Sequence, residues 1–171
     1  MRILVIADTH IPVTAKQLPR IVIEEAKQCD CCIHAGDIIS IAAFNALSQL
    51  TKTYAVLGNM DNVELQGKLA YKTILAFDSI RLGLIHGRGT PSGLIEYIKK
   101  EFAAEMKSID MFIFGHTHYP FNKEIDGKIY FNPGSPTDKI FAPYCSYGIV
   151  EIQGKTVTRS IVEIPLKDSD K

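Results

Sequence analysis

The chain has no excess of charge of either sign: Lys plus Arg and Asp plus Glu each number 19 in 171 residues. That balance lacks the basic stripe that nucleic-acid polymers need. It equally lacks an electrostatic membrane anchor. Long hydrophobic runs are missing too. The run from Ile3 to Ala7 is far too short to span a bilayer. Nothing resembles the basic region, apolar core and cleavage site of a signal peptide, so a cytoplasmic protein is expected. Cysteine is sparse: Cys29, Cys31 and Cys32 crowd into one Cys-Asp-Cys-Cys run and Cys145 stands apart. Chain neighbours rarely form disulfides, so Cys31 and Cys32 are expected as strand residues rather than metal ligands. Repeats, low-complexity tracts and linkers are absent. One domain over 1–171 is therefore expected, with the polar stretch 166–171 frayed. The apolar share of 46% and charged share of 22% suit a soluble globular chain.

What is present begins with alternating apolar and helical patterns. Arg2 to Ala7, Cys31 to His34 and Thr53 to Leu57 read as strands. Leu18 to Gln28, with Pro19 in its first turn, and Ile41 to Leu50 read as helices between them. This βαβαβ order implies parallel neighbours joined by right-handed crossovers. The second half is richer in strands: Lys72 to Phe77, Ile80 to Ile85, Met111 to Phe114, Lys123 to Ile125, Lys128 to Tyr130, Tyr147 to Ile152 and Val157 to Ile164. Asp78-Ser79, Asp126-Gly127 and Gln153-Gly154 are expected turns. Ser92 to Met106 reads as a helix capped by Ser92. A parallel half followed by hairpins predicts two sheets packed face to face, with helices outside.

The informative pattern lies at the ends of the apolar runs. Asp8-Thr9-His10, His34-Ala35-Gly36-Asp37, Gly58-Asn59-Met60-Asp61, His86-Gly87 and Gly115-His116-Thr117-His118 each stand at an expected strand end. Open α/β sheets build sites beyond the carboxyl ends of their strands, so the five clusters can converge. The side chains offer hard oxygens and imidazole nitrogens without a thiolate. Such donors suit Mn, Fe, Zn, Co or Ni. Singly each cluster could be an ordinary turn. The ordered set of five points to a metal site.

In that order, D-x-H, G-D, G-N-x-D, H-G and G-H-x-H resemble the calcineurin-like metallophosphoesterase superfamily, in its small bacterial and archaeal phosphodiesterase branch. Asn132-Pro133-Gly134-Ser135 adds to the likeness, which runs from Met1 to about Ile164. The chain is also similar to the retromer scaffold subunit of the same fold. The resemblance implies an α/β four-layer α/β/β/α sandwich of two mixed sheets. It implies two divalent metal ions, manganese first, with Zn, Fe, Ni, Co or Mg as alternatives. Asp8, His10 and His118 would hold one ion. Asn59, His86 and His116 would hold the other, and Asp37 would bridge both. Two metals about 3.5–4 Å apart clamp a phosphoryl oxygen and activate a water, whose in-line attack cleaves the ester. The expected substrate is a small phosphodiester. A phosphomonoesterase, or a scaffold with a vestigial site, is the alternative. No membrane or nucleic-acid polymer is expected as a partner; a homodimer or homotetramer remains open.

Ten further positions carry expectations. Met60 stands where many superfamily members have a His thought to assist the leaving group, and a thioether cannot donate a proton. Asp61 either orients a ligating His from behind or is a turn residue. Arg88 either grips a substrate phosphate in bidentate fashion or is a solvated loop residue. His34 is expected in a hydrogen-bonded structural role, and Thr9 and Thr117 as turn formers. Tyr119, Phe121, Phe141 and Tyr144 could wall a nucleobase, but packing is preferred for most of them.

Overall fold

The computed structural model describes residues 1–165, so the expectation of a frayed 166–171 lies outside the described residues. Two five-stranded mixed sheets form. The first runs β10 (Thr156–Glu163), β9 (Ser146–Gln153), β1 (Arg2–Ile6), β2 (Cys31–His34), β3 (Thr53–Ala55). The second runs β4 (Lys72–Phe77), β5 (Ile80–Ile85), β6 (Met111–Ile113), β8 (Lys128–Asn132), β7 (Phe121–Ile125). In the first sheet β1, β2 and β3 are parallel, and β9 runs antiparallel to β1. In the second, β5, β6 and β8 are parallel. The expected split into a parallel half and a hairpin half is therefore too simple. The second sheet has a parallel centre and antiparallel edges, while the first ends in parallel β3 on one side and the antiparallel pair β9–β10 on the other.

Strand alternation explains the layers. On β1 and just after it, Ile3, Val5 and Ala7 face the second sheet's Leu82, Leu84, Met111, Ile113 and Phe131. Leu4 and Ile6 face outward to Val22 and Ala26 of α1 (Arg20–Gln28) and Leu47 of α2 (Ile41–Leu50). On the other side, Phe112 and Tyr130 pack against Leu94 and Ile98 of α4 (Leu94–Glu101) and against Phe102. The result is the α/β/β/α order expected. Each of these large side chains, fully buried, stabilises the fold by about 1.5–3 kcal/mol.

Differences fall at element ends. Pro19 caps α1 instead of sitting in its first turn. The expected helix from Ser92 to Met106 is shorter: Pro91–Gly93 forms a 3-10 turn, α4 spans Leu94–Glu101, and Met106–Ser108 forms another 3-10 turn. After Glu101 the chain tightens, with Ala103 N donating to Lys100 O (3.3 Å), and Phe102 turns into the core. The β9–β10 turn is Gly154-Lys155, since Gln153 pairs with Thr156. A short helix not foreseen, α3 (Val63–Gln66), is capped by the Asn62 side chain.

Candidate metal centre

Asp8, His10, Asp37, His116 and His118 all have positive φ, between 45° and 73°. Non-glycine residues rarely take this left-handed conformation, although Asp and His tolerate it better than most. Each costs about 1 kcal/mol or more and persists only where surrounding contacts hold it. Those contacts are visible. Asp8 N donates to Gly36 O and His10 N to Asp37 O, both at 3.0 Å, tying the end of β1 to that of β2. Gly115 N donates to His86 O (3.0 Å), tying the ends of β6 and β5. His116 N donates to both Asp8 carboxylate oxygens (3.1 and 3.0 Å), tying the two sheets together. Gly115 is needed at this crossing: a Cβ there would lie 2.8 Å from Ala7 Cβ and 2.9 Å from Asp8 Oδ2.

The side chains converge on Asp37. Its Oδ2 lies 3.3 Å from His10 Nε2 and 3.4 Å from His86 Nε2, while its Oδ1 accepts from Met60 N (2.8 Å). On one side, His118 Nε2 is 3.6 Å from Asp8 Oδ1. On the other, Asn59 Oδ1 lies 3.1 Å from His86 Nε2 and 3.2 Å from His116 Nδ1. All seven expected ligands are thus brought together. Asp8, His10 and His118 form one group able to hold a metal ion, and Asp8, Asp37 and His86 another.

The donor chemistry fits a cation. His10 Nε2 is buried without a hydrogen-bond partner although a carboxylate oxygen stands before it. His86 Nδ1 faces Ala35 O (2.7 Å), and a carbonyl only accepts, so the proton sits on Nδ1 and the Nε2 lone pair points at Asp37 and Asn59. Lone pairs facing carboxylates repel unless a proton or metal lies between them. The thiols take no part. Burial pushes Cys29 and Cys31 up to about 11 and Cys32 higher still.

Without metal, protons do the cation's work. Burial opposes charge on His86, but Asp37 and Asp8 outweigh it and raise its pKa to about 9. Burial pushes Asp8 up to about 6 against the pull of His86 and His118. Burial alone would raise Asp37 as well; the His86 imidazole and the Met60 N–H keep it below the usual carboxylate range. A metal must displace the His86 proton. At about pH 7.5, metal uptake is expected to release about one proton per site, and affinity to rise with pH until about 9. Titration calorimetry in buffers of different ionisation heat measures this. Heats independent of the buffer would refute it.

The other singled-out residues separate. Asp61 touches no histidine: its carboxylate accepts from Ile39 N (2.6 Å) and Gly58 N (2.7 Å), bracing two of the loops. The expectation that it orients a ligating His gives way to this loop role. Arg88 is exposed on the loop after His86. His34 is buried at the end of β2 with Nε2 3.0 Å from Thr9 Oγ1, and burial pushes its pKa down to about 3. Thr117 holds its turn, accepting from Tyr119 N (3.3 Å). Phe121 packs in the core beside Phe114, but Tyr119, Phe141 and Tyr144 are exposed, against the packing expected of most of them. They stand on loops, where no second layer covers them.

The sequence marks Asn132 to Ser135 only as part of the family likeness, and gives the loop after β8 no role at the site. Asn132 donates to Gly115 O (2.9 Å) and Thr117 Oγ1 (3.1 Å). Ser135 Oγ donates to Asp8 O and Thr137 Oγ1 to Thr9 O, both at 2.7 Å. Asp138 reaches His118 Nδ1. Their signal was slight: a run of small polar residues that reads as a loop.

Known proteins are similar to this chain in sequence and in fold. A probable metallophosphoesterase of Methanothermobacter thermautotrophicus is 34% identical over 166 residues, covering 95% of this chain and 92% of that protein. The zinc complex of Vps29 from Entamoeba histolytica superposes with a TM-score of 0.75 at 23% identity, over 95% of this chain and 99% of its own. A structurally and functionally characterised archaeal phosphodiesterase superposes at 0.71 with 22% identity, over 95% and 100%. At that identity the two structures speak for the fold. The family model for the calcineurin-like phosphoesterase superfamily domain matches residues 1–155, nearly the whole of the two-sheet framework that gathers these loops. With one relative above 30% identity along almost its full length, the chain belongs to the calcineurin-like phosphoesterase superfamily.

Proposed function

We propose that the protein is a two-metal phosphodiesterase acting on small soluble diesters. One observation carries this reading: Asp37 Oδ2 stands between His10 Nε2 and His86 Nε2, at 3.3 and 3.4 Å, so one carboxylate faces a histidine of each ligand group. Asp8, His10 and His118 would hold one ion, Asn59, His86 and His116 the other, and Asp37 both. When bound, two divalent ions supply charge stabilisation at a phosphoryl oxygen and an activated water. Manganese suits the mixed oxygen and imidazole set, and Zn, Fe, Ni, Co or Mg remain alternatives.

The chain's own groups would divide the remaining work. Asp37 and Asp8 set the negative charge that retains the cations. Asn59 is exposed and reaches both His86 and His116, which suits a residue meeting substrate as well as metal. Arg88, exposed on the loop after His86, would contact a phosphate from solvent. Met60, 54% exposed next to Asn59, has no proton to give the leaving group. Diesters with good leaving groups are therefore favoured over monoesters. The balanced charge supports a small substrate rather than a polymer or a membrane surface.

The test is hydrolysis of bis(p-nitrophenyl) phosphate with Mn²⁺, beside p-nitrophenyl phosphate. Diester turnover is expected to exceed monoester turnover, to stop with chelator and to return with Mn²⁺. The likeness to Vps29 favours a second reading, a protein-binding scaffold. An apolar cavity of about 440 Å³, lined by Ile11, Pro12, Leu18, Ala43, Leu47 and Leu50, is consistent with it. Metal uptake without turnover of either ester would decide for the scaffold.

A further inference from the structure

Three histidines of the site have a hydrogen-bond acceptor behind the ring. For His86 and His116 it is a backbone carbonyl, of Ala35 (2.7 Å) and Gly89 (2.9 Å). For His118 it is a charged side chain: Nδ1 meets Asp138 Oδ2. Asp138 is 2% exposed. Its Oδ1 accepts from Ile140 N (2.8 Å) and Phe141 N (3.0 Å), and its Oδ2 also accepts from Ala142 N (3.2 Å). Its own N donates to Ser135 Oγ (3.0 Å), which in turn donates to Asp8 O (2.7 Å). Both carboxylate oxygens and the backbone are therefore fixed. Rotation of the side chain would break several hydrogen bonds at once.

A carboxylate only accepts, so the His118 proton sits on Nδ1 and the lone pair on Nε2. That Nε2 is the atom 3.6 Å from Asp8 Oδ1. We propose that Asp138 is a positioning residue, which locks His118 in the tautomer and orientation that present Nε2 to the ion shared with Asp8 and His10. The inference rests on the metal-site reading above. It adds that the affinity of this position is set from the loop after β8, whose residues 140–142 wrap the carboxylate. A supporting carboxylate also makes the imidazole a better electron donor than a carbonyl would.

Asp138→Asn tests this. The amide matches the carboxylate in size, and its oxygen can still accept from Ile140 and Phe141. Its NH₂ group donates where the carboxylate accepted, which drives His118 to carry its proton on Nε2. Two readouts are taken. Long-range ¹H–¹⁵N spectra of metal-free protein at about pH 8.5, above the ordinary imidazole range, report the tautomer. Calorimetric titration with Mn²⁺ reports affinity. Wild-type protein is expected to show Nδ1–H and the variant Nε2–H, with Mn²⁺ bound about 10- to 100-fold more weakly. Far-UV circular dichroism checks that the variant is folded. If it is not, Asp138→Glu keeps the acceptor and is expected to keep the wild-type tautomer. An unchanged tautomer or an unchanged affinity in a folded Asp138→Asn protein overturns the proposal. Wild-type protein that takes up no Mn²⁺ would strike the metallophosphoesterase reading instead, and the metal-free spectra would still decide whether Asp138 sets the tautomer.

Discussion

Asp37→Ala is expected to lose both metal ions and to lower diester turnover at least about a thousandfold. The magnitude comes from the work of the ions. Metal stabilisation of a phosphoryl transition state is worth several kcal/mol, and each 1.36 kcal/mol is tenfold in rate. The substitution removes the carboxylate oxygen that stands 3.3 Å from His10 Nε2 and 3.4 Å from His86 Nε2. It also strips the Met60 N–H of its acceptor, loosening the loop that carries Asn59. Asp37→Asn separates charge from shape. Asparagine can still accept from Met60 N, but it lacks the negative charge and the second oxygen, so it too should fail to hold two ions. A readout independent of turnover is thermal unfolding. Metal at about 100 times its Kd adds about 2.7 kcal/mol to the stability of a protein that binds it only when folded. Wild-type protein should therefore melt at higher temperature with Mn²⁺, and Asp37→Ala should not. A variant that keeps the Mn²⁺-dependent rise would show that Asp37 is not the shared ligand.

Much of this is legible in the sequence alone, for a physical reason. Parallel strands end on a common edge, so an apolar run followed by Asp, Asn or His marks a site even when the run itself is unremarkable. The seven converging residues were readable in that way, as were the strand pairs flanking Asp78-Ser79 and Asp126-Gly127. What stayed hidden was the tertiary wiring. Asp61 reads as a turn residue or a partner for histidine, and only the folded chain shows its carboxylate spanning Ile39 N and Gly58 N. Asp138 lies 20 residues after His118, and no period or motif links the two. The end of α4 was misplaced because Phe102 and Met106 continue the helical spacing. Burial of Phe102 is achieved instead by a tightened turn. Local pattern thus found the groups that meet, while the groups that hold them in place depend on contacts distant in sequence.

Gly58→Ala is expected to disable the site without replacing any ligand. Gly58 does not owe its place to a left-handed backbone; what matters is proximity. A Cβ added there would lie 2.1 Å from Asp37 Oδ1 and 2.2 Å from Asp37 N. The clash is partly with backbone, so no side-chain rotation relieves it. The Asp37 loop is also bound on its other side, through Asp37 O to His10 N (3.0 Å), and Gly58 N is held by Asp61 Oδ2 (2.7 Å). Something must yield, and either the Asp37 carboxylate swings away or the Asn59 loop withdraws. In both cases a ligand leaves. Overpacking of this kind costs about 1–3 kcal/mol, occasionally more. At about 2–4 °C per kcal/mol for a chain of this size, the metal-free protein should melt lower by roughly 2–12 °C. Mn²⁺ should then give no further stabilisation. Gly67→Ala is the matched control: its φ is −77°, and the nearest atom to a new Cβ is Glu64 O at 3.7 Å. That variant should keep wild-type metal affinity and be neutral or more stable by up to about 1 kcal/mol. If Gly58→Ala melts and binds Mn²⁺ like the control, the close approach of the β2 and β3 loops is not what holds the shared carboxylate in place.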